Sequence, residues 1–356
     1  MSDFETKNNS FSREINSNEK TFPKISIITP SYNQAQFLEE TIRSVLLQDY
    51  PNLEYIIIDG GSTDNSVEII KKYESYLAYW VSEPDEGQTS AINKGFRRAT
   101  GDIIAWINSD DLYVEGAFYK VAEIFKQNPH FSVIYGNCIF FKENEPEYLH
   151  KPGAFDIKRF VAGDYIAQPS TFFKRHVIEE IGYLDERFHF SLDYDLLMRL
   201  SSKCSIEYVD ETFAQFRFHD DSKTISQRFH FLPENFIIME KALKGDKLDI
   251  KTRYIIFKRI FNMTLITQQT LSDLNLKIEE IHSNSHIDGK MINGNEVFFH
   301  LMHLKLLPET TDTNYNKQEL LEIKENIRSI FHYLNIYYPA FPVTHNVPRN
   351  SSAHNS

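Results

Sequence analysis

Apolar positions change period in a regular way along the first half of this chain. Lys24 to Pro30 reads KISIITP, a β-branched run closed by a proline, and predicts a buried strand. Residues 35–48 then place Leu38, Ile42, Val45 and Leu46 at helical spacing. The alternation continues. Strand 55–59 (YIIID) ends on an acid, and Gly60, Gly61 and Ser62 form the turn after it. Helix 64–73, strand 78–82, helix 88–99, strand 102–107 (DIIAWI), helix 114–127 and strand 131–136 follow. Strands alternating with helices predict an α/β fold: a Rossmann-like, mostly parallel sheet flanked by helices. In such sheets ligands bind outside the carboxyl ends of the strands, where Asp59 and the acids after Ile107 fall.

From about residue 139 to 225 the pattern is less regular, with helices expected at 174–182 and 193–201. Beyond 230 amphipathic stretches predict helices at 234–244, 251–270, 273–282, 295–306 and 317–336, none with a chemical motif. The ends, 1–22 and 345–356, are polar and predict no fixed structure. The expected organisation is an α/β domain over 23–228 and a helical C-terminal extension over 229–344.

Composition narrows the chemistry. The 356 residues fit one such domain plus an appendage. A formal net charge of −12 excludes a general nucleic-acid binder and requires local cations or a metal ion beside any phosphorylated ligand. Two cysteines, Cys138 and Cys204, make neither a disulfide framework nor a zinc site, and point to a reducing compartment. No signal peptide opens the sequence and no run of about eighteen apolar residues occurs. A cytoplasmic protein is therefore expected, or one peripheral to the inner face of a membrane.

The chemical signal lies in four ordered segments: TPSYN (29–33), IIIDGGSTDNS (56–66), EPDEGQTSAINKGFRRATGDIIAWINSDD (83–111) and LDYDLLMRL (192–200). Asp110 and Asp111 form an adjacent carboxylate pair at a strand end, which repels unless a cation sits beside it; a hard divalent ion, Mn²⁺ or Mg²⁺, suits such oxygen ligands. The alternative is a helix N-cap. Asp59 ends a buried strand and can either meet a nucleobase imide or ribose, or hold its own turn. Gly87 permits close approach of backbone to a ligand, with Asp85, Asn93 and Lys94 around it. Of Arg97 and Arg98, at least one reads as solvated helix surface.

Taken together, over roughly residues 24–225, these segments resemble the inverting family 2 glycosyltransferases with the GT-A fold. The resemblance implies transfer of a sugar from a nucleotide-diphosphate sugar, by default a UDP-sugar, onto a glycan, lipid-linked or protein acceptor. It places Pro30, Tyr32, Asp59, Asp85, Gly87, Asn93, Lys94, Asn108 and Asp110 on the donor side. It makes Asp193 the catalytic base, with an N-cap as the alternative reading. It puts the metal at Asp110 and Asp111, with His219 as a candidate third ligand and Lys223 and Thr224 near the diphosphate. Gln168 and Ser170 fall on the acceptor side, or else in a proline-led turn into a strand. Two departures stand out: Asn108 occupies a place where the family carries an acid, and Leu192 replaces the Glu that usually precedes the base. These departures support a second reading, a non-catalytic nucleotide-sugar or glycan-binding module. A nucleotidyltransferase fits less well, for want of an early Gly-rich basic loop. Asp195 is expected to be structural, Tyr32 and Trp106 to stack on a base or to join the core. The basic stripe 251–266 offers membrane contact, dimerisation or internal packing.

Overall fold

The computed structural model describes residues 22–162, 165–226 and 231–244. Strands β1 (Ile25–Ser31), β2 (Leu53–Asp59), β3 (Tyr79–Ser82) and β4 (Ile103–Trp106) pair in parallel in the order β3-β2-β1-β4. They are joined by helices α1 (Ala35–Leu46), α2 (Ser66–Lys72) and α3 (Gln88–Arg98). β1 is buried along its whole length, as a strand covered by helices on both faces must be. Leu38, Ile42 and Val45 of α1 are fully buried, each worth roughly 1.5–3 kcal/mol of transfer from water. α3 lies so close to β1 that a Cβ on Gly95 would stand 2.5 Å from Ile28.

Beyond β4 the sheet is mixed. β5 (Leu112–Tyr113) precedes α4 (Ala117–Gln127), and β6 (Val133–Phe141), β7 (Tyr148–His150), α5 (Ile157–Ala162), β8 (Thr171–Lys174), α6 (Arg175–Ile181), α7 (Leu192–Ser201) and β9 (Ile206–Arg217) follow. The order continues β4-β8-β6-β9-β5, with β7 on β6; β4 pairs β8 antiparallel while β6 and β9 are parallel. The irregular stretch expected from 139 to 225 thus contains the longest strand described, β9. Its charged Glu207, Asp210 and Glu211 obscure the strand pattern. Last come α8 (Lys223–Ser226) and α9 (Phe231–Lys244).

Two compact units are distinguished. The first holds the whole sheet: described residues 22–152, 167–183 and 205–217. The second gathers α5, α7, α8 and α9 from 153–166, 184–204 and 218 onward. It therefore draws on both regions into which the sequence pattern divided the chain. Among the described residues no helix is long and apolar enough to cross a membrane. The helices expected at 251–270, 273–282, 295–306 and 317–336, the stripe 251–266 and the tails 1–21 and 345–356 lie outside the described residues.

Candidate active site

In the first unit the carboxyl ends of β1, β2 and β3 carry the donor-side residues. Pro30 is buried within β1, and Tyr32, just after it, is 61% exposed. Asp59 is fully buried. Its carboxylate accepts the backbone N–H groups of Gly61 (3.1 Å) and Ser62 (2.9 Å), and the hydroxyls of Ser62 (2.5 Å) and Ser82 (2.7 Å). Three of these bonds fall on Oδ2 and one on Oδ1, so Asp59 ties the turn after β2 to Ser82 of β3 and keeps an acceptor position on Oδ1. Asn33 ties β1 to the same turn, accepting from Thr63 N–H at 2.8 Å while its own N–H donates to Ser62 Oγ at 2.8 Å.

Asp85 is placed differently. It is partly buried, and its Oδ1 accepts the Gly87 N–H at 2.8 Å. A Cβ built on Gly60 would stand 3.0 Å from Asp85 Oδ2, so the missing side chain at 60 is what lets this carboxylate lie against the end of β2. Gly87, with φ +110°, starts α3 in a conformation that an L side chain rarely adopts. On α3, Asn93 is 1% exposed. Lys94 pairs with Glu83 at 2.6 Å, a bond that lowers the Glu83 pKa. Arg97 stacks over Tyr183 and Arg98 over Tyr79, so both guanidiniums rest on rings. Trp106 is core, between Phe96 and Phe173.

After β4 stand the acids. Asp111 is 1% exposed; its Oδ1 accepts the backbone N–H of Arg217 at 3.0 Å and its Oδ2 lies 3.4 Å from Asn108 Nδ2. Burial raises its pKa well above the ordinary carboxylate range, and the neighbouring Asp110 raises it further. Asp110 is partly exposed. Its backbone carbonyl accepts Arg217 Nε at 3.0 Å. Arg217 is itself fixed between the rings of Phe37 and Phe141, with a 2.5 Å bond to Glu40. Its bonds to the backbone and carboxylate of the acid pair make it the clamp of this turn, a residue the sequence patterns did not flag. Thr41 Oγ1 completes the clamp by donating to the Asp111 carbonyl at 2.8 Å.

Asn108 accepts from Gln88 Nε2 at 2.7 Å and reaches Gln168 Oε1 at 3.5 Å, while Gln168 Nε2 donates to the Trp106 carbonyl at 2.8 Å. Asn108, the Asp110–Asp111 turn and Gln168 are therefore brought together. Ser170 is fully buried, its hydroxyl donating to the Ala167 carbonyl at 2.8 Å with the Gly136 carbonyl at 3.1 Å, within a 3₁₀ turn (Gln168–Ser170) that leads into β8. Among the described residues no three His, Cys, Asp or Glu side chains form a metal cluster by themselves. The donors at this turn are hard oxygens under mutual repulsion, which fits a divalent ion that takes its other ligands from diphosphate and water.

In the second unit Asp193 sits in the first turn of α7, partly buried. Burial pushes its pKa up to about 6, and the nearby Glu234 carboxylate adds to the rise. Asp195 is 1% exposed and pairs with Arg199 at 2.7 Å, the structural part expected for it. Lys223 Nζ donates to the His189 carbonyl at 3.0 Å, and Thr224 beside it on α8 is exposed. The His219 carbonyl accepts Ser222 N–H at 3.0 Å. Glu234 on α9 went unnoticed in the sequence. Its signal was a lone acid inside the apolar run FLPENFIIM.

Comparison with known proteins completes the picture. Residues 26–190 match the model of "Glycosyl transferase family 2". An uncharacterized glycosyltransferase of Rickettsia typhi is 30% identical over 216 residues, 57% of this chain and 66% of the relative, so slightly less than two thirds of that protein is spanned. An uncharacterized glycosyltransferase of Mycobacterium tuberculosis is 30% identical over 188 residues, 51% of this chain and 70% of the relative. Among solved structures, S. aureus TarS 1–349 in complex with UDP-GlcNAc superposes with a TM-score of 0.59 at 17% identity, over 87% of this chain and 90% of that one. The mannosyltransferase PcManGT from Pyrobaculum calidifontis, in complex with GDP-Man and Mn²⁺, gives 0.52 at 15% identity, over 94% and 93%. The sheet has the GT-A architecture of these neighbours, and the chain belongs to glycosyl transferase family 2.

Proposed function

We propose that this protein transfers a sugar from a nucleoside-diphosphate sugar to an acceptor hydroxyl by single displacement, with inversion. The observation that carries the reading is the turn after β4, where a partly exposed Asp110 stands beside a buried, clamped Asp111. Asp110 is the acid to hold Mn²⁺ or Mg²⁺, because both Asp111 oxygens already face partners within the fold. Such an ion offsets the charge of the departing diphosphate. Asn108, whose Nδ2 faces Asp111 and Gln168, brings no charge and keeps one acceptor position on Oδ1 for a ribose hydroxyl.

Asp85 is the donor-side acid better placed for a ligand, since it is partly exposed and Gly87 N–H is the partner found for it among the described residues, while Asp59 is fully buried and accepts four bonds. Asp193 takes the proton of the acceptor hydroxyl as its oxygen bonds to the anomeric carbon and the bond to the diphosphate breaks. A pKa raised to about 6 lets it serve as a base above that pH. A UDP-sugar is the default donor. The UDP-GlcNAc bound by TarS and the GDP-Man and Mn²⁺ bound by PcManGT support the donor and ion classes.

The test is hydrolysis and binding of a panel of UDP-, GDP- and dTDP-sugars with Mn²⁺, with Mg²⁺ and with EDTA. One donor is expected to bind and turn over slowly with metal and not with EDTA. Failure of every donor under every condition overturns the catalytic reading in favour of a glycan-binding module.

A further inference from the structure

α7 starts Ser191-Leu192-Asp193, so the acid that the family resemblance expects before the base is absent from the chain at that place. We infer that Glu234, forty-one positions along the sequence from Asp193 on α9, takes over that part: it is a positioning residue that fixes the loop 189–191 and, through it, the Asp193 carboxyl. This rests on the reading of Asp193 as the base.

Glu234 is 4% exposed, unusual for a carboxylate whose bonds are to backbone amides. It accepts three consecutive backbone N–H groups: His189 at 2.8 Å on one oxygen, Phe190 at 2.9 Å and Ser191 at 2.7 Å on the other. Charge-assisted bonds of this kind are the strong ones, and three of them converge on the residues that lead directly into α7. Lys223 holds the same loop from its carbonyl side, donating to His189 O at 3.0 Å with its ammonium over the Phe190 ring.

The other charged groups nearby are engaged with one another. On α7, Asp195 pairs with Arg199; from α9, Lys241 reaches Asp185 at 3.1 Å and Asp195 at 3.8 Å. His189 lies in the clamped loop, and from α5 the neighbour is apolar, Phe160 against the Tyr194 ring. Glu234 is the acid whose charge bears on Asp193, favouring its protonated form. A single side chain thus sets both where the carboxyl stands and when it accepts a proton.

The experiment separates charge from scaffold. Protein labelled with [4-¹³C]aspartate is titrated by NMR as wild type, E234Q and E234A, the Asp193 resonance being the one that D193N loses. Amide exchange of the peptide spanning 189–194 is followed in parallel. In E234Q, which keeps an acceptor oxygen and loses the charge, Asp193 is expected to titrate about half a pH unit lower or more. In E234A, exchange over 189–191 is expected to quicken by roughly tenfold or more. An Asp193 titration unmoved in E234Q, with exchange unmoved in E234A, overturns the inference. Release of nucleoside diphosphate from UDP-N-acetylglucosamine and GDP-mannose with Mn²⁺ tells the two failures apart. An active D193N removes the base reading and this inference with it, whereas an inactive D193N beside a silent Glu234 removes this inference alone.

Discussion

Two carboxylate pairs, one in each compact unit, are built alike and differ in how their members are connected. At the turn after β4, Asp111 is buried and accepts the N–H of Arg217, while Asp110 beside it is partly exposed. In the second unit, Glu234 is buried and accepts three amides, while Asp193 is partly exposed. In each pair one acid is buried and bonded to backbone amides, and the other is partly exposed. In each, burial and the neighbouring acid raise a pKa: that of the buried Asp111 in the first, that of the partly buried Asp193 in the second. The first pair is adjacent in sequence; the second is assembled by the contact between α7 and α9.

Substitution of Asp193 is expected to have the greatest effect on either pair. D193N removes the proposed base and is expected to lower transfer by about 10²–10⁴-fold, with donor binding measured by calorimetry little changed. In wild type, kcat/KM is expected to rise with pH through about 6, because Asp193 must be ionised to accept a proton. A profile flat between pH 5 and 7 removes Asp193 from the proton transfer.

Arg217 sharpens the first pair. R217A loses the Nε bond that holds the Asp110 carbonyl and opens the space between Phe37 and Phe141. A donor KM raised by about tenfold in Mn²⁺, partly recovered in R217K, is the expected outcome. Equal kinetics in all three proteins count against the clamp.

A smaller effect concerns stability, and its sign is fixed by the raised pKa. The folded form of Asp193 holds its proton more tightly than the unfolded chain does. Its contribution is therefore present at low pH and is lost as pH rises from about 4 to about 6. D193N should thus be more stable than wild type at pH 7, by about 1–3 kcal/mol, with the gain vanishing near pH 4. Denaturant melts at the two pH values measure this; a gain that is equal at both speaks against a strained carboxyl. The smallest effect is at Gly60. G60A presses a methyl on the Asp85 carboxylate and is expected to weaken donor binding only a few-fold, about 1 kcal/mol or less.

The sequence carried the first pair and the strands around it openly. KISIITP, YIIID and DIIAWI are buried on both faces, so their runs of Ile need no context to be read as parallel strands. The adjacent acids declared themselves through their mutual repulsion. The clamp was hidden because Arg217 lies at the end of β9, a half-exposed strand whose acids break the alternation that marks a strand. Glu234 was hidden for a different reason. A buried carboxylate satisfied by backbone amides has no side-chain partner whose spacing could betray it. Nor did local pattern show that Asp59, which ends a strand as Asp110 follows one, would be fully buried and accept four bonds from its own turn and from Ser82 of β3.

Within each pair the partly exposed acid is proposed to meet the ligand and the buried acid to hold the frame. Mn²⁺-dependent binding of UDP and GDP, titrated by calorimetry into wild type, D110N and D111N, tests it most directly. D110N is expected to lose at least about tenfold in metal-dependent nucleotide affinity, while D111N retains most of it. Loss in D111N with affinity kept in D110N would contradict it.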